Sequence, residues 1–306
     1  MIALVLGLTL LAAFLVVLQR SRAEFAVNES LARLQDAARH ALSVVVPDIE
    51  HAGFYGFTTN PSAVIVGGLP AGADACGRQF AVDLAVPAQG SDNTFGLENS
   101  ATDCAPTASA GGARNGSDTM TLRFASQNTT TPRAGRLQLY SQNLSALGPL
   151  LLFANGQAPG PLDADHAVRD LEVRTYYIAN NSVERPGWPA LRVKALTESR
   201  GAAQFRDEEI VPGVEDLQVE FGVARRGVDG TARVVYLAPD PMLAREGRIV
   251  ALRLWLRIRS DTTEPGFVDD RELSYANVRF TPTPAEAKQR RMLVERTVAL
   301  RNARPP

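Results

Sequence analysis

The residues of this chain whose types could do chemistry are few: three histidines, two cysteines, some acidic clusters and one strand-like run of arginines. His40 and His51 lie about three helical turns apart, too distant to share one metal ion, and both read as helix-surface or packing residues. Asp163, Asp165, His166 and Asp170 form the one polar cluster with the donor types of a metal site. Their surroundings, GPLDADHAVRD, read as a solvated loop entering a strand, and no metal is assigned. Arg253, Arg257 and Arg259 with Trp255 could offer a strand-based nucleic-acid surface. The wet face of a sheet carries the same alternation, with acidic partners such as Glu220 on a neighbouring strand, and this structural reading is preferred. Cys76 and Cys104 stand 28 positions apart, in neither a CxxC nor a histidine cluster. They read as one disulfide if the domain lies outside the cytoplasm, with two unpaired buried thiols as the alternative. HExxH, GxSxG, GxxxxGK[ST] and a strand-to-helix GxGxxG are all missing, so no catalytic residue and no cofactor is assigned.

Composition narrows the class further. The chain has 306 residues, a formal charge of -1, 45% hydrophobic and 21% charged residues. That is globular, and it excludes a disordered chain, a collagen-like rod and a multi-span membrane protein. Balanced charge gives no electrostatic ground for a nucleic-acid partner.

The elements that would position these residues begin with an apolar segment. Met1–Leu18 has no charge and twelve Leu, Ile, Val or Phe residues. At the usual per-residue values this gives about -4 to -7 kcal/mol for insertion. Leu4, Leu8, Leu11, Phe14 and Val17 are expected to meet lipid or other helices. The segment spans about 27 Å, slightly short of a hydrocarbon core, so further apolar residues are expected upstream of Met1. From Glu24 to Val46 there is no Gly or Pro, and Phe25, Leu31, Leu34, Ala38, Leu42 and Val45 recur mostly at three- and four-residue steps, the pattern of an amphipathic helix that Pro47 kinks or ends. Phe25, Leu31, Leu34 and Leu42 are expected to pack it on a sheet or on neighbours.

Beyond Gly53 the chain reads as short strands and long loops, with strands over Ala63–Val66, Phe80–Val86, Thr119–Phe124 and Arg136–Tyr140. Stronger strands follow at Leu171–Ile178, Leu191–Leu196, Val214–Val223, Arg233–Leu237, Arg248–Arg259, Leu273–Phe280 and Met292–Leu300. In Arg248–Arg259, residues Val250, Leu252, Leu254, Leu256 and Ile258 share one face, opposite the arginines. No helix-length pattern separates these strands, so a parallel sheet built of βαβ units is not expected. The class is α+β: a long N-terminal helix, part membrane span and part amphipathic, on a mainly antiparallel sheet. Residues 1–52 form the helical part with its span at 1–18. Residues 53–306 form the β-rich domain, loop-rich over 53–160 and carrying its main strands over 167–302.

Four blocks together resemble the PilW-like minor pilins of bacterial type IV pili, relatives of the J-type pseudopilins of type II secretion. They are MIALVLGLTLLAAFLVVL with Glu29–Arg39, then Asp48–Gly56, then Val211–Val219, and finally Val250–Leu254 with Arg296–Asn302. The resemblance implies a pilin-like fold and a low-abundance, non-enzymatic subunit that helps start the fibre or lies near its tip. It also implies partners among minor and major pilins, the assembly platform and a tip adhesin, with lipid met through residues 1–18. The place implied is the bacterial inner membrane with a periplasmic domain, then the fibre. A basic leader cleaved after Gly and a Glu at the fifth mature position belong to the pattern, and both are expected upstream of Met1. Two other readings stand beside this one: a secretion pseudopilin, and a membrane-tethered periplasmic binding or adhesion protein using the loops of Gly67–Thr131.

Overall fold

The computed structural model describes residues 2–56, 64–66, 76, 80–97, 104–142, 150–227, 230–240, 243, 248–264 and 266–303. Met1 and parts of the loop surface expected over Gly67–Thr131 (67–75, 77–79 and 98–103) lie outside them. One helix, α1 (Ile2–His51), is followed by fourteen strands among the described residues. At 1.5 Å per residue its 50 residues extend about 75 Å.

Pro47 does not end α1, which runs four residues further. A proline inside a helix forfeits one backbone hydrogen bond. Tertiary contacts hold the last turn regardless: Asp48, Ile49 and Ala52 are buried, and His51 Nδ1 lies 2.6 Å from the Pro47 carbonyl. The buried seam is Ser30, Leu34, Ala38, Ala41, Val45, Asp48, Ile49 and Ala52, nearly all at three- and four-residue steps. Leu42 packs beside it half-buried, and Leu31 is half-buried as well. Phe25, expected against the sheet, is 70% exposed. It precedes Leu34 by nine residues, which at about 100° per residue turns it to the opposite side of the helix.

The strands form two main sheets. The larger contains β1 (Val64–Val66), β2 (Ala88–Ser91), β3 (Thr119–Ala125), β4 (Ala134–Gln142), β5 (Leu150–Asn155), β6 (His166–Ala179), β7 (Ala190–Ser199) and β8 (Ala202–Pro212). Their order is β1-β5-β4-β6-β3-β2, with β7 on β6 and β8 on β7. The smaller runs β10 (Ala232–Leu237), β9 (Val214–Arg226), β11 (Arg248–Arg259), β14 (Arg291–Ala299). Every described pairing but the three-residue β1–β5 ladder is antiparallel. The α1 seam, Met120 and Leu122 of β3, Ile178 of β6, Phe221 of β9 and Leu252, Leu254 and Leu256 of β11 share one core. The helix therefore covers both sheets. A second core under the larger sheet holds Leu137, Leu139, Leu152, Leu171, Val173 and the two cysteines.

Three expectations about strands are corrected. Phe80–Val86 is a chain of turns: the carbonyls of Phe80 and Val86, which a ladder would need, accept instead from the Arg123 guanidinium at 2.9 and 2.7 Å. Leu273–Phe280 is a hairpin of β12 (Leu273–Tyr275) and β13 (Val278–Phe280), turning at Ala276 with φ +45°. In β11 a bulge between Ile249 and Ala251 reverses the alternation, so Ile249 and not Val250 joins Leu252 in the core.

Candidate functional site

Two buried charges, Asp48 and Arg123, lie at the junction of α1 with the head. Asp48, on the apolar seam of the helix, is 6% exposed. Both of its oxygens accept from Arg174 Nη1 at 3.0 Å, and Oδ2 also accepts from the Tyr176 hydroxyl. Burial drives the Asp48 carboxyl above its usual range, against the pull of Arg174 and Tyr176, and burial together with Asp48 raises the Tyr176 phenol. Arg174 and Tyr176 are two apart on β6, so both point to the face that the helix covers.

Arg301 and Asn302, just after β14, close the same junction. Arg301 pairs with Glu50 at 2.8 Å and its amide donates to the Glu50 carbonyl at 3.3 Å. Asn302 Nδ2 reaches the carbonyls of Glu50 and His51 at 3.3 and 3.4 Å. These carbonyls are at the helix end, where no further helical turn donates to them, although His51 O also accepts from the Phe54 amide at 2.8 Å. Gly53 then leaves the helix with φ +81° while its amide donates to Arg123 O at 3.0 Å. Arg123 is fully buried and wholly turned to carbonyl and amide oxygens of the 80–89 segment; burial lowers its guanidinium to about 10. Tyr55 completes the exit with a 2.8 Å bond to Leu84 O.

The arginine face of β11 is not wet. Arg253 does stand opposite Glu220, 3.5 Å from it. Trp255 and Arg257, however, are 6% and 4% exposed, and the β12–β13 hairpin meets Arg257. The Arg257 guanidinium stacks on Phe280 at 3.6 Å and donates to Tyr275. Glu215 takes Arg257 at 3.2 Å and Arg291 at 2.8 Å, and Ser117 bonds Asp216 at 2.6 Å. Asp118, 1% exposed, receives the amides of Asn93 and Val219 at 2.8 Å each and so joins the two sheets; burial pushes its carboxyl up to about 7.

The remaining sequence candidates are placed as follows. Cys76 and Cys104 form a disulfide with a Cα separation of 4.9 Å. His166 contacts Asp163 and stacks on Tyr140, and the described residues contain no group of three or more metal-binding side chains. His51 meets Gln127, and His40 is exposed on α1. Leu4, Leu8, Leu11, Phe14 and Val17 are all exposed, along a helix long and apolar enough to cross a membrane. Sequence periodicity missed Asp48, Arg123, Arg174 and Glu215. Only Asp48 left a signal, a carboxylate on an otherwise apolar helical seam. The arrangement is mechanical: a greasy rod riveted through its last turn to a β-rich head.

Residues 175–302 match the family model PilW, type IV pilus-assembly protein W. The match takes in the end of β6 and all later strands, including the Val211–Val219, Val250–Leu254 and Arg296–Asn302 blocks. It thus contains Tyr176, Arg301 and Asn302, the head's side of the junction described above, and Glu215. No curated protein matches the chain. A similar solved structure is the type IV-like pilin TTHA1219 from Thermus thermophilus, 14% identical, covering 65% of this chain and 82% of that one with a TM-score of 0.28. That superposition is too loose to carry any residue across.

Proposed function

We propose that the chain is a minor-pilin-like, non-enzymatic subunit that takes part in priming a type IV pilus near its tip. One observation carries the reading: an exposed apolar helix continues without a break into the seam of a head matched to the type IV pilus-assembly protein W family. Leu4, Leu8, Leu11, Phe14 and Val17 hold the subunit in the inner membrane before extraction and pack against other helices in the fibre, where contact is by close fit and not by water expulsion. Phe25, facing away from the head, is available to a neighbouring subunit. The Cys76–Cys104 bond supports a periplasmic head, since disulfides persist in that compartment. Its partners are minor and major pilins, the assembly platform and a tip adhesin. Deleting the gene tests this: loss of surface pili and twitching, restored by the full chain, is the expected result. Normal piliation together with loss of a secreted protein moves the chain to a type II secretion machine.

A further inference from the structure

The smaller sheet ends on β10, which pairs with β9 along one side and with no described strand along the other. Helix α1 runs against β14 and β11, towards the opposite margin of that sheet. The turn joining β9 to β10 fixes which backbone groups face outward. The Gly227 amide donates to Thr231 O at 2.7 Å, the Gly230 amide donates to Gly227 O at 3.0 Å, and Gly230 has φ +79°. Thr231 thus turns its carbonyl to β9, and alternation along an antiparallel ladder turns Arg233, Val235 and Leu237 the same way. The amides and carbonyls of Ala232, Val234 and Tyr236 are left on the open side. Ala232, Arg233 and Val234 are exposed.

Natural sheet edges are blunted by charge, by proline or by a cover. The long edge strand of the larger sheet follows that rule, since β8 carries Arg206, Asp207, Glu208 and Glu209 in a row. Strand β10 holds a single charge and no proline, and its Val234, Val235 and Tyr236 are types that favour extended chain. That single charge makes the edge selective. Arg233 stands directly opposite Arg225 of β9, and Arg226 occupies the next rung. Each of these arginines is exposed, and none has an ion pair among the described residues. Like charges facing each other across a ladder are unfavourable, so a carboxylate arriving beside Arg233 relieves a repulsion already present.

We propose that β10 accepts an additional antiparallel strand from another protein, an extended segment with an acidic residue opposite Arg233 and β-branched residues beside Val234 and Tyr236. Main-chain bonds to Ala232, Val234 and Tyr236 supply the affinity, and the cross-strand neighbours supply the choice of partner. Arg233 then falls at a non-hydrogen-bonded rung of the new ladder, where Cα atoms approach to about 4.5 Å and side chains meet most closely. A second copy of β10 does not meet the requirement, because the strand contains no carboxylate. The surface does not depend on the pilus reading, and the piliation of a deletion strain has no bearing on it.

The test uses the full chain in detergent micelles and a short fluorescent peptide that alternates threonine and valine around one glutamate, with binding read by anisotropy. A matched peptide carries lysine in place of the glutamate. The glutamate peptide is expected to bind about fivefold tighter than the lysine one, and Arg233→Glu inverts that order. Val234→Pro removes one outward amide and leaves the ladder to β9 intact, as an edge strand allows; it weakens binding about tenfold, whereas Val234→Thr, which keeps the amide, does not. Arg233 is exposed, so the charge swap decides the question even where the proline disturbs the fold. A preference indifferent to the swap, binding that survives Val234→Pro in a folded chain, or no binding of either peptide up to about 1 mM overturns the proposal. So does a concentration-dependent dimer that Val234→Pro dissolves, which assigns the edge to a second copy.

Discussion

Asp48 does at the scale of one side chain what the seam does over about six turns. Its carboxylate is buried only because Arg174 and Tyr176 meet it, so removing it leaves the buried Tyr176 phenol without its acceptor and Arg174 with Glu172 alone, 3.6 Å away. Asp48→Ala is expected to lower the unfolding free energy of the head by about 2–4 kcal/mol, read by denaturant titration. Asp118 makes a pH-dependent contribution. Folded, its carboxyl keeps a proton up to about pH 7, against an ordinary value near 3.8. Between those values the folded chain holds the proton that the unfolded chain has lost, so this group's contribution is complete below the window and declines as pH rises through it. The thermal midpoint should therefore fall from about pH 5 to about pH 8, and Asp118→Asn should flatten that slope. An unchanged slope in the variant would remove Asp118 as its source.

Helix α1 illustrates how far a pattern reaches and where it stops. Three- and four-residue spacing announced an amphipathic helix and included Leu34, Ala38 and Val45 in its face, because burial on one side of a helix leaves that period in the sequence. It enrolled Phe25 as well, although Phe25 stands nine residues before Leu34 and so on the opposite side of the helix. It stopped at Pro47, since the forfeited hydrogen bond is local and the compensating contacts of Asp48 and Ile49 are not. The close approach of α1 to the sheets depends on small residues: Ala38 and Ala41 are 4% and 0% exposed. Ala41→Leu should cost about 1–3 kcal/mol by overpacking, measured as a shift in denaturation midpoint at constant slope. Among the strands, alternation located β11 to the residue and missed its bulge, since one extra residue changes the face without changing composition. It left out β8, whose Arg206, Asp207, Glu208 and Glu209 pair with the neighbouring strand but show no apolar alternation. It also took the arginine face for a wet one, because nothing in a strand's own letters tells whether a distant hairpin will lie on it.

For the molecule as a whole, the division between rod and head is testable by truncation. The buried seam starts at Ser30, and residues before it leave the head's cores untouched. A chain beginning at Ala23 should fold as a soluble head with native circular dichroism. One beginning at Gly53 loses Leu34, Ala38, Ala41, Val45, Ile49 and Ala52 from the shared core and should bind hydrophobic dyes and aggregate. A well-folded product from the second truncation would show that the helix is dispensable to the head. By itself the amino-acid sequence determined the α+β class, the membrane-capable rod, the amphipathic stalk and most of the antiparallel strands, because apolar periodicity is local and each element carries its own. Tertiary structure alone decided that Asp48, Arg123, Arg174 and Glu215 would be buried, and that Arg301 and Asn302 would fasten the helix end. Those outcomes depend on which partners arrive from tens or hundreds of residues away, and a charge carries no mark of whether its partner will be water or a distant side chain.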